Sequence, residues 1–332
     1  MSRGVVGAMG KIARVGDFLR FGTVDEPVPA FESWVEQGMA VGEARHGAGW
    51  QSLFAAGPIH AFVFRPQRQP PHSVRALFPM GRVEPGVLVG VLKPSQDAVG
   101  RKFPFAVYAS VPERALAAAP HVVPIALGAF LDAATRVLLD GEHCGAADTN
   151  AAVGSLEPPR LEDAGDAARE YEHWTRSNWV GAVWSAIFGN ASPPHALFVL
   201  QTMLDAVAPF RGQEHPSTKL ALRLPLGPAG AAAAAFWLDA IRRIAQAPNA
   251  VRSCFWSFDG ARGSLLVQLG EAPPGSLVEL WAPDPSNEHV CDLVVPRIVD
   301  PARAFSALPP HVAERLRVPD VLVAELLDAL AR

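Results

Sequence analysis

The sequence is poor in the features that announce several large functional classes. Charged residues fill only 19% of its 332 positions, below the roughly 25% of an average globular protein. With 29 Lys and Arg against 33 Asp and Glu the formal net charge is -4, so no strong positive field favours nucleic acid or an anionic membrane as partner. Cys144, Cys254 and Cys291 are the only cysteines and none forms a CxxC pair, which argues against a disulfide framework and for a reducing compartment. No signal peptide is expected, because the apolar stretch Val5–Met9 is cut short by Lys11, Arg14 and Asp17. The greasiest segments, Pro120–Leu131 and Ala229–Leu238, stop at Asp132 and Asp239, well below the roughly 20 apolar residues that cross a bilayer. A cytoplasmic protein without direct membrane insertion is the expectation.

Catalytic signatures are equally scarce. There is no GxSxG elbow, no GxxxxGK[ST] loop and no GxGxxG after a strand. Glu142-His143-Cys144 collects three potential ligands, but adjacent side chains diverge and zinc takes ligands in spaced pairs. The other histidines lack HxxH or HExxH spacing. Asp140-Gly141 and Asp259-Gly260 have no companion acids of the kind paired-metal phosphatases need, and read as turns. No metal, no cofactor and no catalytic residue is expected.

What is present is a core. Hydrophobic residues make up 49% of the chain, enough to offset the entropy cost of ordering the backbone, and the length favours two domains. Val5–Ala13 reads as a strand. Pro29–His46 reads as a helix, with Phe31, Trp34, Val35 and Met39 at helical spacing. Strands are expected at His60–Phe64, Ser73–Phe78, Gly86–Leu92 and Phe105–Val111, the third a continuous apolar run of the kind covered on both faces. Val123–Leu139 then reads as one long helix. The second half begins with Tyr171, Trp174, Trp179, Trp184 and Phe188, whose tryptophans cannot share one helix face, so a helix or helix pair packed on several sides is expected. Helices at Pro194–Val207, Ala229–Gln246 and Pro319–Ala331 alternate with strands at Leu220–Pro225, Ser253–Phe258, Ser264–Leu269, Ser276–Trp281 and Val290–Val295. The expected fold class is α/β: a layered sandwich with a mixed β-sheet flanked by helices over residues 1–141, a small-residue and acidic linker over 142–168, and a second α/β domain over 169–332.

Two segments are not explained by composition or periodicity. Gly10–Arg20 and Gly90–Phe105 each run from a strand end into a Gly-marked loop with unlike charges close together. Lys11, Asp17 and Arg20 lie in the first; Asp97, Arg101 and Lys102 lie in the second. Gly16 and Gly100 are expected to supply backbone angles closed to other residues, and Ser95 or Asp97 to cap a turn. If the loops meet, Asp17 pairs with Arg101, or Asp97 with Lys11. Such a network either fixes both loops or faces a partner; no base and nucleophile accompany it.

On these segments the chain resembles the TagF (ImpM) family of type VI secretion accessory proteins. The resemblance rests on Gly10-Lys11, Gly16-Asp17-Phe18, Trp34, Gly90-Val91-Leu92, Pro94-Ser95, Asp97, Val99-Gly100-Arg101 and Phe103-Pro104, with Ala13 standing where the family usually has proline. It covers roughly residues 4–140. Leu222–Pro225, Phe236–Asp239 and Cys254–Trp256 are similar to the C-terminal region of longer members. The resemblance implies a cytoplasmic, non-enzymatic regulator with an α/β sandwich fold, similar to repressors that restrain the secretion apparatus by binding a forkhead-associated scaffold protein. Lys11, Gly16, Asp17, Arg20, Ser95, Asp97, Gly100 and Arg101 are the candidate site residues. The alternative left open is an anion- or small-molecule-binding α/β protein with hydrolytic activity, using Arg101 and Lys102 beside Gly100.

Overall fold

The structure is a computed structural model. It describes residues 5–22, 27–66, 86–117, 119–160, 163–189, 193–213, 219–257, 263–295, 297 and 300–332. The chain folds as α/β, in two compact units that interleave along the sequence. Met1–Ala115, Phe130–Pro159 and Pro273–Pro283 form the first, and Leu116–Ala129, Arg160–Ala272 and Asp284–Arg332 the second.

The strands of the first unit are β1 (Val5–Gly10), β2 (Leu19–Phe21), β3 (His60–Phe64), β4 (Gly86–Lys93) and β5 (Phe105–Pro112), ordered β2-β1-β5-β4-β3. All four pairings are antiparallel. The apolar run Val87–Leu92 is wholly buried, as a strand covered on both faces must be. In the last paired rows Gly10 and Lys93 both face Phe105, so Lys11 and Pro94 leave the same end of the sheet together.

Helix Pro27–His46 buries Phe31, Trp34, Val35, Gly38, Met39 and Gly42, a single stripe at i, i+3, i+4 spacing. Phe31 stacks on Phe62 with ring centroids 4.8 Å apart, which lays the helix over β3. Residues Pro273–Pro283 cover the other side of this stripe. Trp34 Nε1 donates to the Pro273 carbonyl at 3.1 Å, and Arg45 pairs with the buried Glu279 at 3.0 Å. Trp281 Nε1 donates to the Pro58 carbonyl at 3.2 Å. Gly38 admits this segment: a Cβ there would lie 2.5 Å from Leu277 Cβ and 2.8 Å from the Pro274 carbonyl oxygen.

In the second unit β6 (Leu220–Pro225), β7 (Val251–Trp256), β8 (Ser264–Leu269) and β9 (Val290–Asp292) are ordered β7-β8-β6-β9. β6 and β9 run parallel; the other pairs are antiparallel. Helix Gly230–Ala245 buries eleven residues from Ala233 to Ala245, and Trp237 Nε1 donates to the Pro225 carbonyl at 2.7 Å. The aromatic stretch forms two helices, Asp163–Ser177 and Val180–Phe188. Trp179 lies between them, bridged antiparallel to Leu322.

Several elements differ from the sequence reading. Ser276–Trp281 is helical and not a strand: a 3₁₀ turn Pro274–Leu277 leads into helix Val278–Trp281. Pro274 sits at the start of this turn, Ser276 Oγ bonds the Pro273 carbonyl at 2.6 Å, and a short apolar run has no periodicity to separate helix from strand. The helix expected over Val123–Leu139 breaks at Leu127 into Val123–Ala126 and Gly128–Asp140, Gly128 being a poor helix former. Within 142–168 the structure has a helix, Ala146–Gly154, with Thr149 and Val153 buried. β2 and the helices Pro301–Ser306 and Pro310–Leu316 have no counterpart in the sequence reading. The strand expected at Ser73–Phe78 and the Asp259-Gly260 turn lie outside the described residues.

Among the described residues no single helix is long and apolar enough to cross a membrane. The broken pair Pro120–Ala126 and Gly128–Asp140 reaches that length jointly, but Val122, Leu127, Phe130, Leu131, Ala134 and Leu138 of it are buried in protein.

Gly38→Ala is expected to lower stability in denaturant melts by about 1–3 kcal/mol, as overpacked positions do, and to raise hydrogen exchange in 273–283. Unchanged exchange there would show that this segment does not depend on the contact.

Candidate functional site

Both sequence-selected segments emerge from one end of the β1-β5-β4 edge, and they meet. In the first, Val15 N donates to the Ile12 carbonyl at 3.1 Å, closing a turn with Ala13 and Arg14 at its exposed apex and Ile12 buried beneath. In the second, Asp97-Ala98-Val99-Gly100 has Asp first and Gly fourth, the favoured pattern of a type I turn. Gly100 N donates to the Asp97 carbonyl at 3.0 Å, Gly100 takes φ +87°, and Asp97 N donates to the Arg101 carbonyl at 3.1 Å. A left-handed glycine after a tight turn is a known way to close a hairpin tip. Gln96 and Lys102 bridge across its base, and Phe103 N donates to the Ser95 carbonyl at 3.1 Å.

The Asp97 carboxylate is the centre of the arrangement. Its side chain is fully buried. Oδ1 accepts from the backbone N–H groups of Val99 (3.1 Å) and Arg101 (2.8 Å), while Oδ2 meets Arg101 Nε at 2.6 Å and Lys11 Nζ at 3.0 Å. Burial pushes the carboxyl pKa up. The Arg101 N–H and the Lys11 and Arg101 side chains outweigh burial and hold it well below the usual carboxylate range. Two further bonds lock the loops together: Ala98 N to the Val15 carbonyl at 3.1 Å, and Arg101 Nη2 to the Gly16 carbonyl at 2.5 Å. Phe18 packs edge-on against Phe103 with centroids 5.0 Å apart.

Of the two pairings open from the sequence, Asp97 with Lys11 forms. Asp17 stays exposed and makes no ion pair among the described residues, because Arg101 is committed to Asp97 and the Gly16 carbonyl. Gly16 differs from expectation: its φ is outside the left-handed region and a Cβ would meet nothing within 4 Å, so its part in the site is its carbonyl. Gly100 does use the glycine-favoured region. Arg20 turns away to Glu32 of helix Pro27–His46 and lies over the Phe18 ring at 4.3 Å. Ser95 contributes its carbonyl, and Asp97 supplies the side-chain cap.

Sequence reading missed the Lys93–Glu142 ion pair, in which a buried lysine at the end of β4 meets a carboxylate just after helix Gly128–Asp140. A lysine closing an apolar strand was the available signal. This pairing takes up the Glu142 of Glu142-His143-Cys144. Among the described residues no group of three His, Cys, Asp or Glu side chains is placed to hold a metal.

The second unit contains a second buried carboxylate. Asp239, on helix Gly230–Ala245, accepts from Arg242 Nη2 at 2.6 Å and Arg243 Nε at 3.1 Å, three and four residues further along the same helix, and from Tyr171 OH at 3.4 Å. Burial pushes the Tyr171 phenol up, with Asp239 adding to the effect. His121 packs edge-on to Tyr171 at 5.3 Å with its Nδ1 buried and unpartnered. Its pKa is lowered, first by burial and then by Arg242 and Arg243, against the opposing pull of Asp239.

Both clusters have a pH signature. A depressed carboxylate stabilises the fold above its unfolded pKa of about 3.9 and loses that contribution as pH falls further. Asp97→Asn should therefore melt below wild type at pH 7, with the gap closing in strongly acidic buffer. For a depressed histidine the unfolded state binds the proton more readily, so stability falls as pH drops through about 6.5. Wild type should lose melting temperature between pH 7.5 and 5.5 more steeply than His121→Phe, and parallel curves would remove His121 as the cause.

Residues 7–156, which contain both loops, match the family model of the TagF N-terminal domain, type VI secretion system-associated. Among solved structures, PA0076 from Pseudomonas aeruginosa PAO1 is similar at 25% identity, over 47% of this chain and 64% of that one, with a TM-score of 0.37. The chain thus spans less than two thirds of PA0076. No curated protein matches it. Residues 7–156 of this chain are a TagF N-terminal domain of the type VI secretion system-associated family.

Proposed function

We propose that this protein is a non-enzymatic, cytoplasmic regulator of a type VI secretion system, restraining assembly or firing by binding a forkhead-associated scaffold protein through the paired loops. The observation that carries the reading is the commitment of Asp97. A carboxylate buried under four donors is unavailable as a base or nucleophile, yet it fixes the shape of two exposed turns. Fixing exposed backbone in advance reduces the ordering cost of binding another protein. A regulator of this kind acts by binding one state of the scaffold better than another. Anion binding at Arg101 and Lys102 has less support, since Arg101 is engaged by Asp97 and Gly16, and Lys102 donates to Gln96 at 2.5 Å.

Arg101→Ala keeps the Lys11–Asp97 pair and the Ala98–Val15 bond but removes the Arg101 side-chain bonds to Asp97 and to the Gly16 carbonyl. It should weaken scaffold binding, measured by titration calorimetry, by about tenfold or more, equivalent to roughly 1.4 kcal/mol, with a smaller effect on melting temperature. Normal binding accompanied by early unfolding would make the network purely structural.

A further inference from the structure

The two turns do more than meet: they present their apices side by side. Ala98 N bonds the Val15 carbonyl, so Ala98-Val99 of the second turn lies directly against Arg14-Val15 of the first. All four apex residues, Ala13, Arg14, Ala98 and Val99, are exposed, and Val99 is 71% accessible. A single exposed apolar side chain on a protein surface is ordinary. Here it sits on a turn whose backbone is held from below by Asp97, from the side by Val15 and at its end by a left-handed glycine. The charge around it is also biased. Arg14 is exposed at the first apex, two cations, Lys11 and Arg101, meet the one carboxylate of Asp97 beneath it, and Lys102 adds a further positive charge, so the two loops carry more positive than negative charge in a chain whose net charge is -4.

We infer that Ala13-Arg14 and Ala98-Val99 form one composite docking surface, with Val99 as the apolar plug and Arg14 as the charged guide, and that its occupant is a protein face bearing an apolar socket rimmed by Asp and Glu. The inference rests on the binding role proposed above and names the residues that make the contact. Shape complementarity at Val99 sets how long the complex lasts. The local positive field of Arg14 speeds encounter with an acidic rim and is screened by salt. The buried Asp97–Lys11 pair lies beneath the contact and positions it without touching the partner.

The test uses the full chain and the purified forkhead-associated scaffold. Val99→Asp should reduce affinity by about tenfold or more, because it places a carboxylate in an apolar socket opposite acids. Val99→Leu should bind close to wild type. Arg14→Glu should slow association and flatten its dependence on salt between about 50 and 300 mM. All three should melt as wild type does, since both positions are exposed. In parallel, a photo-crosslinking amino acid is placed at position 99, and at the exposed Leu139 as control, in cells. A scaffold that binds wild type but is indifferent to Val99→Asp and Arg14→Glu overturns this surface and leaves the proposed function standing. If wild type does not bind the scaffold, and position 99 crosslinks to an acid-rich segment of another protein in a manner abolished by Arg14→Glu, the surface stands and the scaffold reading falls. No adduct at position 99, or an adduct to nucleic acid or lipid, overturns the inference.

Discussion

The first unit is organised at the loop end of its sheet by one buried carboxylate. Removing Asp97 from water is costly unless every lone pair finds a donor, and the donors come from two places in the sequence. Two are backbone N–H groups of its own turn, one is the Arg101 side chain, and the last is Lys11, delivered by β1. The condition that satisfies the charge is therefore the condition that brings the loops together. Apolar packing adds the Phe18–Phe103 contact and the buried Ile12. The outer residues of both turns, Ala13, Arg14, Ala98 and Val99, are exposed.

The second unit uses a similar device with a different reach. Asp239 gathers Arg242 and Arg243 from its own helix, so most of its compensation is local, and among the described residues Tyr171 is the partner that comes from elsewhere. Such a cluster secures the packing around its own helix. The contrast matters for function. A carboxylate satisfied across distant segments fixes relative geometry, which is what a recognition surface needs, whereas one satisfied within a helix fixes only its own neighbourhood.

The turn at Asp97–Gly100 could be read from the chain because its chemistry is local: an acid at the first position, a glycine at the fourth, and a strand-terminating Pro94 upstream. The stripe of helix Pro27–His46 and the apolar run of β4 were readable for the same reason, since a helix or strand face is a periodicity. Gly16 was misread because a glycine in a loop looks the same whether its φ is positive or its carbonyl is simply needed as an acceptor. Ser276–Trp281 was misread because six buried residues carry no period, and burial arises from contact with helix Pro27–His46 far upstream. Glu142 was recognised only as part of a local triplet, since its partner Lys93 is 49 residues away.

By itself the sequence determined the α/β class, the two glycine-marked loops and the family to which residues 7–156 belong, because each is written in spacing and residue type within a few positions. Tertiary structure alone decided that Lys11 would pair with Asp97 while Arg101 would not pair with Asp17, that Asp17 would make no ion pair among the described residues, and that Val99 and Arg14 would stand together at the surface. Those choices depend on which strands pair and in what register. Gly10 and Lys93 end opposite the same residue of β5, and that shared row, formed only on folding, sets which side chains fall within reach of one another.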